Sequence, residues 1–330
     1  MQNKAPGKDI SLDDLKEKIP LCAKKSINHK TIVKVKNISF GGKEIPFLSG
    51  PNTVESPELI NGIGKMLKSL KLKGMRGGAF KPLTFPYRSK KYFEPGIQGL
   101  QWLKKAKDKN DLVVTTEIME LKYLEAVCKA TDIIQIGSRN MQNFPLLTEC
   151  AKTKMPIMLK RHYGSSLRDW LGAAEYILAE GNKNLILCER GVSVPHTHRS
   201  TSRFLLDLQV IPAVKEITHL PIISDPSHAT FWAPWVEPMT LASIAAGCDG
   251  ILMEVHPDPK NAAVDPLQPL IYSQFRTLEG IGILKLILQA NGFVEFKIKK
   301  NDTGSWQLNL KETGKPTFAL YTGTEEDEEK

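Results

Sequence analysis

Residues 112–136, LVVTTEIMELKYLEAVCKATDIIQI, contain two short apolar runs on either side of an amphipathic stretch. The runs Leu112–Thr116 and Asp132–Ile136 predict buried strands, and Leu121–Cys128 between them predicts a helix. A strand, a helix and a second strand in this order form a βαβ unit, in which the two strands lie parallel in one sheet. We therefore expect an α/β fold built on parallel strands.

The same alternation of strand and helix patterns continues in both directions from this stretch. The predicted strands are Ile45–Leu48, Gly74–Gly77, Leu112–Thr116, Asp132–Ile136, Pro156–Lys160, Asn184–Cys188, Pro221–Ser224 and Gly250–Glu254. The other predicted helices include Pro57–Leu70, Gly96–Lys107, Leu167–Leu178 and Pro238–Ala246. Eight such pairs close a barrel, so we predict a (β/α)8 TIM barrel. The alternative is an open doubly wound sheet, whose first strand is ordinarily followed by a glycine-rich phosphate turn, whereas this sequence has SGPNTVES.

Two segments lie outside the alternation. Residues 31–44 alternate apolar and polar side chains before Gly41-Gly42, which predicts a β-hairpin covering the bottom of the barrel. Near the other terminus, three alternating runs predict a short β meander, at Val294–Ile298, Trp306–Leu310 and Thr317–Tyr321. The expected organisation is an N-terminal extension (1–30), a barrel domain with its hairpin (31–290), a C-terminal β extension (291–322) and an acidic tail (323–330).

Composition restricts the compartment and the partners. The five cysteines are scattered without CxxC spacing, which is typical of a reducing, cytoplasmic compartment. No apolar run approaches the roughly 20 residues that span a bilayer, and the N-terminus lacks the apolar segment of a signal peptide, so no membrane partner is expected. The net charge of +9 includes lysine clusters at 68–73 and 104–109. These clusters lie in or just after amphipathic helices and fit solvated faces, so no nucleic-acid partner is expected.

Polar and charged residues follow the predicted strands, and in a barrel all these strand ends face one mouth, where active sites lie. They are Asn52, Arg76 with Lys81, Gln135 with Arg139, Lys160-Arg161, Glu189-Arg190, Asp225 with His228, and Glu254 with His256. Arginine binds phosphates and carboxylates through two parallel hydrogen bonds. A single arginine would be more typical of a structural salt bridge, but cations at four strand ends indicate a small phosphorylated substrate.

His228, Glu254 and Asp265 offer one imidazole and two carboxylates, a donor set that suits a divalent metal ion. The surrounding strings, DPSHA and MEVHPDP, are equally compatible with core or loop residues. Spacing alone therefore leaves the metal site open.

Several strings resemble the motifs of one enzyme family in the same order along the chain. They are GGAFKPLTFPY (77–87), QIGSRNMQNF (135–144), LILCERG (185–191), ISDPSHAT (223–230) and LMEVHPDP (252–259). The family is that of the 3-deoxy-7-phosphoheptulonate (DAHP) synthases, in the branch related to the 3-deoxy-octulosonate 8-phosphate (KDO8P) synthases. The resemblance implies a transferase that condenses phosphoenolpyruvate with an aldose phosphate, by default erythrose 4-phosphate, and releases inorganic phosphate. It also implies a homo-oligomer, either a dimer or a tetramer.

The resemblance assigns roles to individual residues. The implied phosphoenolpyruvate ligands are Arg76, Lys81, Arg139, Lys160 and Arg190. The implied catalytic residues are Lys81, His228 and Asn52, and the implied acceptor contacts are Pro82, Thr84, Arg161 and Asp265. The proton for the new alkoxide comes from His228, from Lys81 or from a metal-bound water, and the sequence does not choose among them.

Asn52 departs from the metal-dependent members of the family, which have a cysteine in GPCSVES where this chain has GPNTVES. An amide oxygen is a neutral and weaker ligand than a thiolate. The related octulosonate enzymes include metal-independent forms with asparagine here. We therefore expect that no metal cofactor is required; the alternative is weak binding of Mn²⁺ or Mg²⁺ by His228, Glu254 and Asp265.

Other departures concern the acceptor. Leu83 replaces the arginine of the KPRT string, and the loops KRHYGSS (160–166) and GVSVPHTHRSTSR (191–203) differ from typical members. Either Arg88 or Arg161 compensates for the lost cation, or the acceptor is another aldehyde. Further acceptor candidates are His162, His196, His198, Arg199 and Arg203, although His196 and His198 are equally typical of exposed loops. A last alternative is a catalytically degenerate barrel that binds phosphate ligands without turnover.

Overall fold

The protein, seen in a computed structural model, is described over residues 12–80, 94–195, 204–258 and 262, and over three backbone segments at 294–300, 306–310 and 317–318. An N-terminal hairpin consists of β1 (Val33–Val35) and β2 (Ile38–Phe40). The barrel strands are β3 (Phe47–Gly50), β4 (Gly74–Arg76), β5 (Val113–Ile118), β6 (Ile133–Ile136), β7 (Ile157–Lys160), β8 (Leu185–Glu189), β11 (Ile222–Ser224) and β12 (Ile251–Glu254). The loop after β8 contains a two-stranded ladder of β9 (Val192–Ser193) and β10 (Phe204–Leu205).

The eight barrel strands are parallel and follow one another in chain order around a closed sheet, in which β12 pairs with β3. Each overlaps its predicted range. The sequence-based prediction of a (β/α)8 barrel is therefore confirmed, and the doubly wound alternative is wrong.

Helices surround this sheet. They are α1 (Leu12–Lys18), α2 (Pro57–Ser69), α3 (Gly96–Asn110), α4 (Leu124–Ala130), α5 (Phe144–Lys152), α6 (Leu167–Ala179), α7 (Val210–Ile217), α8 (Pro226–Thr230) and α9 (Ala233–Ala245). Local signals fix several starts: the Ser56 hydroxyl accepts from the backbone N–H of Leu59, and Ser166 forms a capping box with Asp169. The predicted start of α9 at Pro238 is wrong, because a proline in the first turn begins the helix earlier and Pro238 lies inside it. Among the described helices, none has both the length and the apolar character needed to cross a bilayer.

The hairpin fills the bottom of the barrel, as predicted. Four of its side chains are buried against inward-facing strand residues; they are Val33, Val35, Ile38 and Phe40. Its turn is Lys36-Asn37, with Lys36 at a φ of 50°, and not Gly41-Gly42. Gly41, at a φ of 82°, instead lets the chain leave the hairpin close to the Thr31 carbonyl.

Three C-terminal strands form near the predicted positions, β13 (Val294–Lys300), β14 (Trp306–Leu310) and β15 (Thr317–Phe318). Their order is β14-β13-β15, with β13 antiparallel to β14 and parallel to β15. The predicted meander is therefore wrong in connectivity, because a meander pairs consecutive strands antiparallel. The domain boundaries drawn from the sequence stay a prediction, and the acidic tail lies outside the described residues.

Candidate active site

The parallel strands bring the predicted polar residues to one mouth of the barrel. Arg76, Lys160 and Glu254 are the last residues of β4, β7 and β12. Asn52, Arg139, Arg190 and Asp225 follow the ends of β3, β6, β8 and β11 within a few residues. Residues from widely separated parts of the chain therefore share one site, as the barrel topology requires.

Asp225 is the centre of a buried polar network. Its carboxylate is fully buried and accepts a hydrogen bond of 2.5 Å from Lys160 Nζ. The same carboxylate lies 2.9 Å from His228 Nδ1 and accepts from the His228 backbone N–H at 3.1 Å, which caps α8. One carboxylate thus holds both a predicted phosphoenolpyruvate ligand and a predicted catalytic histidine.

The network fixes the protonation states of Asp225 and His228. Burial by itself raises the pKa of the Asp225 carboxyl, but His228, Lys160 and Arg76 outweigh burial and hold that pKa well below its usual value. Burial, helped by the cations Lys160 and Arg76, lowers the pKa of His228 well below its usual value despite Asp225. At neutral pH the pair is a carboxylate and a neutral imidazole. Because the carboxylate only accepts, Nδ1 carries the proton and Nε2 presents a lone pair.

Arg76 connects this network to Asn52. Its Nη2 donates to Asn52 Oδ1 at 3.5 Å, and its Nη1 lies 3.5 Å from His228 Nδ1. Arg76 and Asn52 are both buried. Four of the predicted site residues, Asn52, Arg76, Lys160 and His228, therefore form one connected group.

Arg190 is a buried cation with an unused donor. Its side chain follows β8, and its Nη1 has no hydrogen-bond partner within the described part of the chain. The guanidinium carbon lies 4.1 Å from the centre of the Phe204 ring. Burial lowers the pKa of Arg190, and the charge of the exposed Arg139 acts in the same direction. A buried guanidinium with a free N–H is suited to an anionic ligand.

The Arg161 guanidinium is paired with two carboxylates of this chain. Its Nη1 donates to Glu189 at 3.2 Å and to Asp207 at 2.7 Å, while Nε and Nη2 donate to the Ser165 carbonyl. Glu189 is fully buried and in turn accepts from the backbone N–H of Gly191. These contacts form an ion pair that connects the loops after β7 and β8. The role of Arg161 as an acceptor ligand stays a prediction.

The residues present only partly fit a metal ion. His228 Nε2 and Glu254 Oε2 lie 3.6 Å apart and could share a cation, with Asp265 as the third predicted ligand outside the described residues. By resemblance, Asn52 stands where the metal-dependent members have their cysteine ligand. Its side-chain oxygen already accepts a hydrogen bond from Arg76. Among the described residues no group of three or more His, Cys, Asp or Glu is arranged to hold a metal.

Several predicted residues lie outside the described part of the chain: Lys81, Pro82, Leu83, Thr84, Arg88, His196, His198, Arg199, Arg203 and Asp265. His162 is described and half-buried, with its ring 4.1 Å from that of Tyr163. Sequence reasoning gave no special role to Phe204, because an aromatic residue in a loop carries no chemical signal. It also missed Glu117, whose carboxylate packs where a Gly137 side chain would lie.

A profile of the DAHP synthetase I family matches residues 26–285. The chain belongs to the DAHP synthetase I family. It is 38% identical over 248 residues to a phospho-2-dehydro-3-deoxyheptonate aldolase of Thermotoga maritima, covering 75% of this chain and 72% of that protein. It is 30% identical over 244 residues to a 2-dehydro-3-deoxyphosphooctonate aldolase of Pisum sativum, covering 66% of this chain and 80% of that protein.

Solved structures agree with this assignment. The crystal structure of the phospho-2-dehydro-3-deoxyheptonate aldolase (DAHP synthase) of Thermotoga maritima superposes with a TM-score of 0.74 at 34% identity, covering 82% of this chain and 77% of that chain. A truncated form of 3-deoxy-D-arabino-heptulosonate 7-phosphate synthase from the same organism gives a TM-score of 0.72 at 33% identity. The match covers 83% of this chain and 98% of that chain. The predicted family, and with it a carbon–carbon bond-forming synthase dependent on phosphoenolpyruvate, is confirmed.

Proposed function

We propose that this family member condenses phosphoenolpyruvate with an aldose phosphate, with erythrose 4-phosphate as the default acceptor. The observation that carries the proposal is the buried Arg190 guanidinium with its unpartnered Nη1, because a buried cationic donor of this kind is suited to an anionic ligand. Arg76 and Lys160 add buried positive charge at the ends of β4 and β7, and Arg139 adds an exposed cation after β6. Together these residues would hold the phosphate and the carboxylate of phosphoenolpyruvate.

The chemistry follows from this placement. C3 of phosphoenolpyruvate attacks the aldehyde carbon, the aldehyde oxygen takes a proton, and positive charge develops at C2. Water adds to C2 and loses a proton, and the resulting hemiketal phosphate expels inorganic phosphate by C–O cleavage to leave a ketone. Cations held in place before reaction stabilise the phosphate throughout these steps and keep C3 aimed at the aldehyde.

The depressed pKa makes His228 a weak base, but its Nε2 presents a lone pair and Asp225 stabilises the imidazolium that forms. We assign it to the water that adds at C2. With Nε2 unprotonated and the Nδ1 proton directed at Asp225, His228 has no proton to give the alkoxide, so this assignment favours Lys81 as the proton donor. Both roles are open to test by substitution.

The enzyme is proposed to work without a metal. Support comes from Asn52, which by resemblance stands where metal-dependent members have a cysteine ligand. The Asn52 side-chain oxygen accepts a hydrogen bond from Arg76. A divalent ion at His228 and Glu254 would also lie close to the Arg76 guanidinium, which opposes its charge. If a metal binds, His228, Glu254 and Asp265 would hold it, and it would supply Lewis acidity to the aldehyde.

A second candidate keeps the donor and changes the acceptor. Leu83 removes one cation from the acceptor side, and Arg161, which could have replaced it, is bonded to Glu189 and Asp207. Losing a charged hydrogen bond costs about 1.5–3 kcal/mol, or roughly 10- to 150-fold in affinity. An aldehyde without a terminal phosphate would not need that cation.

The test is phosphoenolpyruvate consumption by EDTA-treated protein, with erythrose 4-phosphate and with unphosphorylated erythrose, each with and without added Mn²⁺. Turnover in EDTA with erythrose 4-phosphate is the expected result. Turnover only with Mn²⁺ would overturn the metal-independent proposal and keep the reaction. A preference for the unphosphorylated sugar would select the second candidate, and binding without any turnover would indicate a degenerate site. Cytoplasmic location and homo-oligomerisation stay predictions.

A further inference from the structure

Phe204 lies where three strand-end loops meet, at the centre of an aromatic group. Its ring centre is 4.1 Å from the Arg190 guanidinium carbon, 5.3 Å from the Tyr163 ring and 5.6 Å from the Phe231 ring. Tyr163 follows β7, Arg190 follows β8, and Phe231 ends α8, the helix that carries His228. Phe204, which directly follows the loop 191–203, therefore contacts residues next to the proposed phosphoenolpyruvate site.

The backbone holds Phe204 in this place. Phe204 pairs with Ser193 and Leu205 with Val192 in the β9–β10 ladder, and the Ser193 N–H donates to the Tyr163 carbonyl at 2.7 Å. Gly191 makes the approach possible: at a φ of 96°, a side chain there would lie 2.9 Å from Phe204 Cβ. The position of the ring is therefore set by a paired strand and a required glycine.

The Phe204 ring packs against the Arg190 guanidinium and restricts its orientation. An aromatic face attracts a guanidinium, most strongly where both are removed from water. Arg190 is buried, and its Nη1 finds no hydrogen-bond acceptor among the described residues that would fix its orientation. The guanidinium carbon lies over the Phe204 ring, and this contact leaves the Nη1 donor available to an anion.

We propose that Phe204 is a positioning residue for phosphoenolpyruvate binding, which it supports by holding the Arg190 guanidinium in the orientation that binds the anion. This inference rests on the proposed function, in which Arg190 binds the phosphate or the carboxylate of phosphoenolpyruvate. In this role Phe204 acts through Arg190. It makes the donor site dependent on the residue that directly follows the altered loop 191–203.

The test compares wild type with Phe204→Leu and Phe204→Tyr by calorimetric titration of phosphoenolpyruvate in the absence of acceptor. Leucine keeps an apolar side chain but removes the aromatic face, so the Kd is expected to rise about 5- to 30-fold. Tyrosine restores the face and is expected to bind within about twofold of wild type. Phe144→Leu is the matched control, because Phe144 stacks on Tyr176 on the outer helices α5 and α6 at a similar ring distance, 4.3 Å.

Steady-state kinetics and thermal unfolding give the second readout. For Phe204→Leu, the KM for phosphoenolpyruvate should rise while kcat and the acceptor KM stay near wild type, with an unfolding temperature close to that of Phe204→Tyr. Wild-type affinity in Phe204→Leu would overturn the inference. Equal weakening in the leucine and tyrosine variants would also overturn it, because the effect would then be one of packing. Failure of the proposed function is distinguishable, because it is seen in the wild-type protein. Wild type that binds phosphoenolpyruvate without turnover would overturn the proposed reaction and leave the titration of the Phe204 variants as a valid test, whereas wild type that does not bind phosphoenolpyruvate would overturn both.

Discussion

The Lys160–Asp225 pair gives the sharpest prediction about the stability of the site. Asp225→Asn keeps a side-chain oxygen that can cap α8 but removes the negative charge from a fully buried position. Lys160, whose side chain is 5% exposed, would then keep its ammonium without the carboxylate that lies 2.5 Å away. Leaving one member of a buried pair uncompensated costs about 3–5 kcal/mol, so Asp225→Asn should lower the free energy of unfolding by about that amount.

A double-mutant cycle measured by urea unfolding without ligands checks this reasoning. Lys160→Met removes the stranded cation, so the double variant should be less destabilised than the sum of the single variants, with a coupling of about 1–3 kcal/mol. The matched control is the exposed pair Lys104–Asp108, also at short distance (2.6 Å), where Asp108→Asn should cost less than about 1 kcal/mol. If the two single effects add within about 0.5 kcal/mol, the pair does not contribute as the geometry indicates.

Three further outcomes are expected. Arg161→Met should lower the free energy of unfolding by about 3–5 kcal/mol, because Glu189 would lose its buried partner. At a temperature where the variant stays folded, the KM for the acceptor should remain near wild type. A large rise in that KM would show that Arg161 contacts the acceptor. Leu83→Arg should lower the KM for erythrose 4-phosphate by roughly 10- to 150-fold if the missing cation is what weakens acceptor binding, and no change would mean that this position does not contact the acceptor. Burial raises the pKa of the Cys150 and Cys248 thiols to about 12. At pH 8 a thiol reagent should therefore label the partly exposed Cys128 and leave these two thiols unlabelled until the protein is denatured. Fast labelling of either thiol in the native protein would contradict their burial.

The barrel could be predicted from sequence because each of its elements carries a local signal. The runs around Leu112–Thr116 and Asp132–Ile136 are short, apolar and β-branched, and parallel strands buried on both faces have this composition. The hairpin turn at Lys36-Asn37 could not be placed, because the adjacent Gly41-Gly42 is the stronger turn signal and the register depends on packing inside the barrel. The strand order of the C-terminal sheet is likewise a property of long-range pairing that alternation does not encode.

In the candidate site, the identity of the mouth residues was predictable and their partners were not. Strand ends and motifs indicated Asn52, Arg76, Lys160 and His228, and the structure joins all four through hydrogen bonds and close contacts. Whether a cation at a strand end binds a ligand or a neighbouring carboxylate depends on which side chain faces it across the barrel. Arg161 faces Glu189 and Asp207, a pairing that no spacing rule shows.

The short ladder formed by Val192–Ser193 and Phe204–Leu205 clamps both ends of the loop after β8. Because Phe204 and Leu205 pair with Ser193 and Val192, the two ends of this loop are fixed beside Arg190. On the proposal that Arg190 binds the donor and that residues 194–203 contact the acceptor, exchanges between the paired ends would change which aldehyde is used while Arg190 keeps its place. In evolutionary terms, the ladder would then separate the part of the enzyme that is free to diversify from the part that must be inherited unchanged.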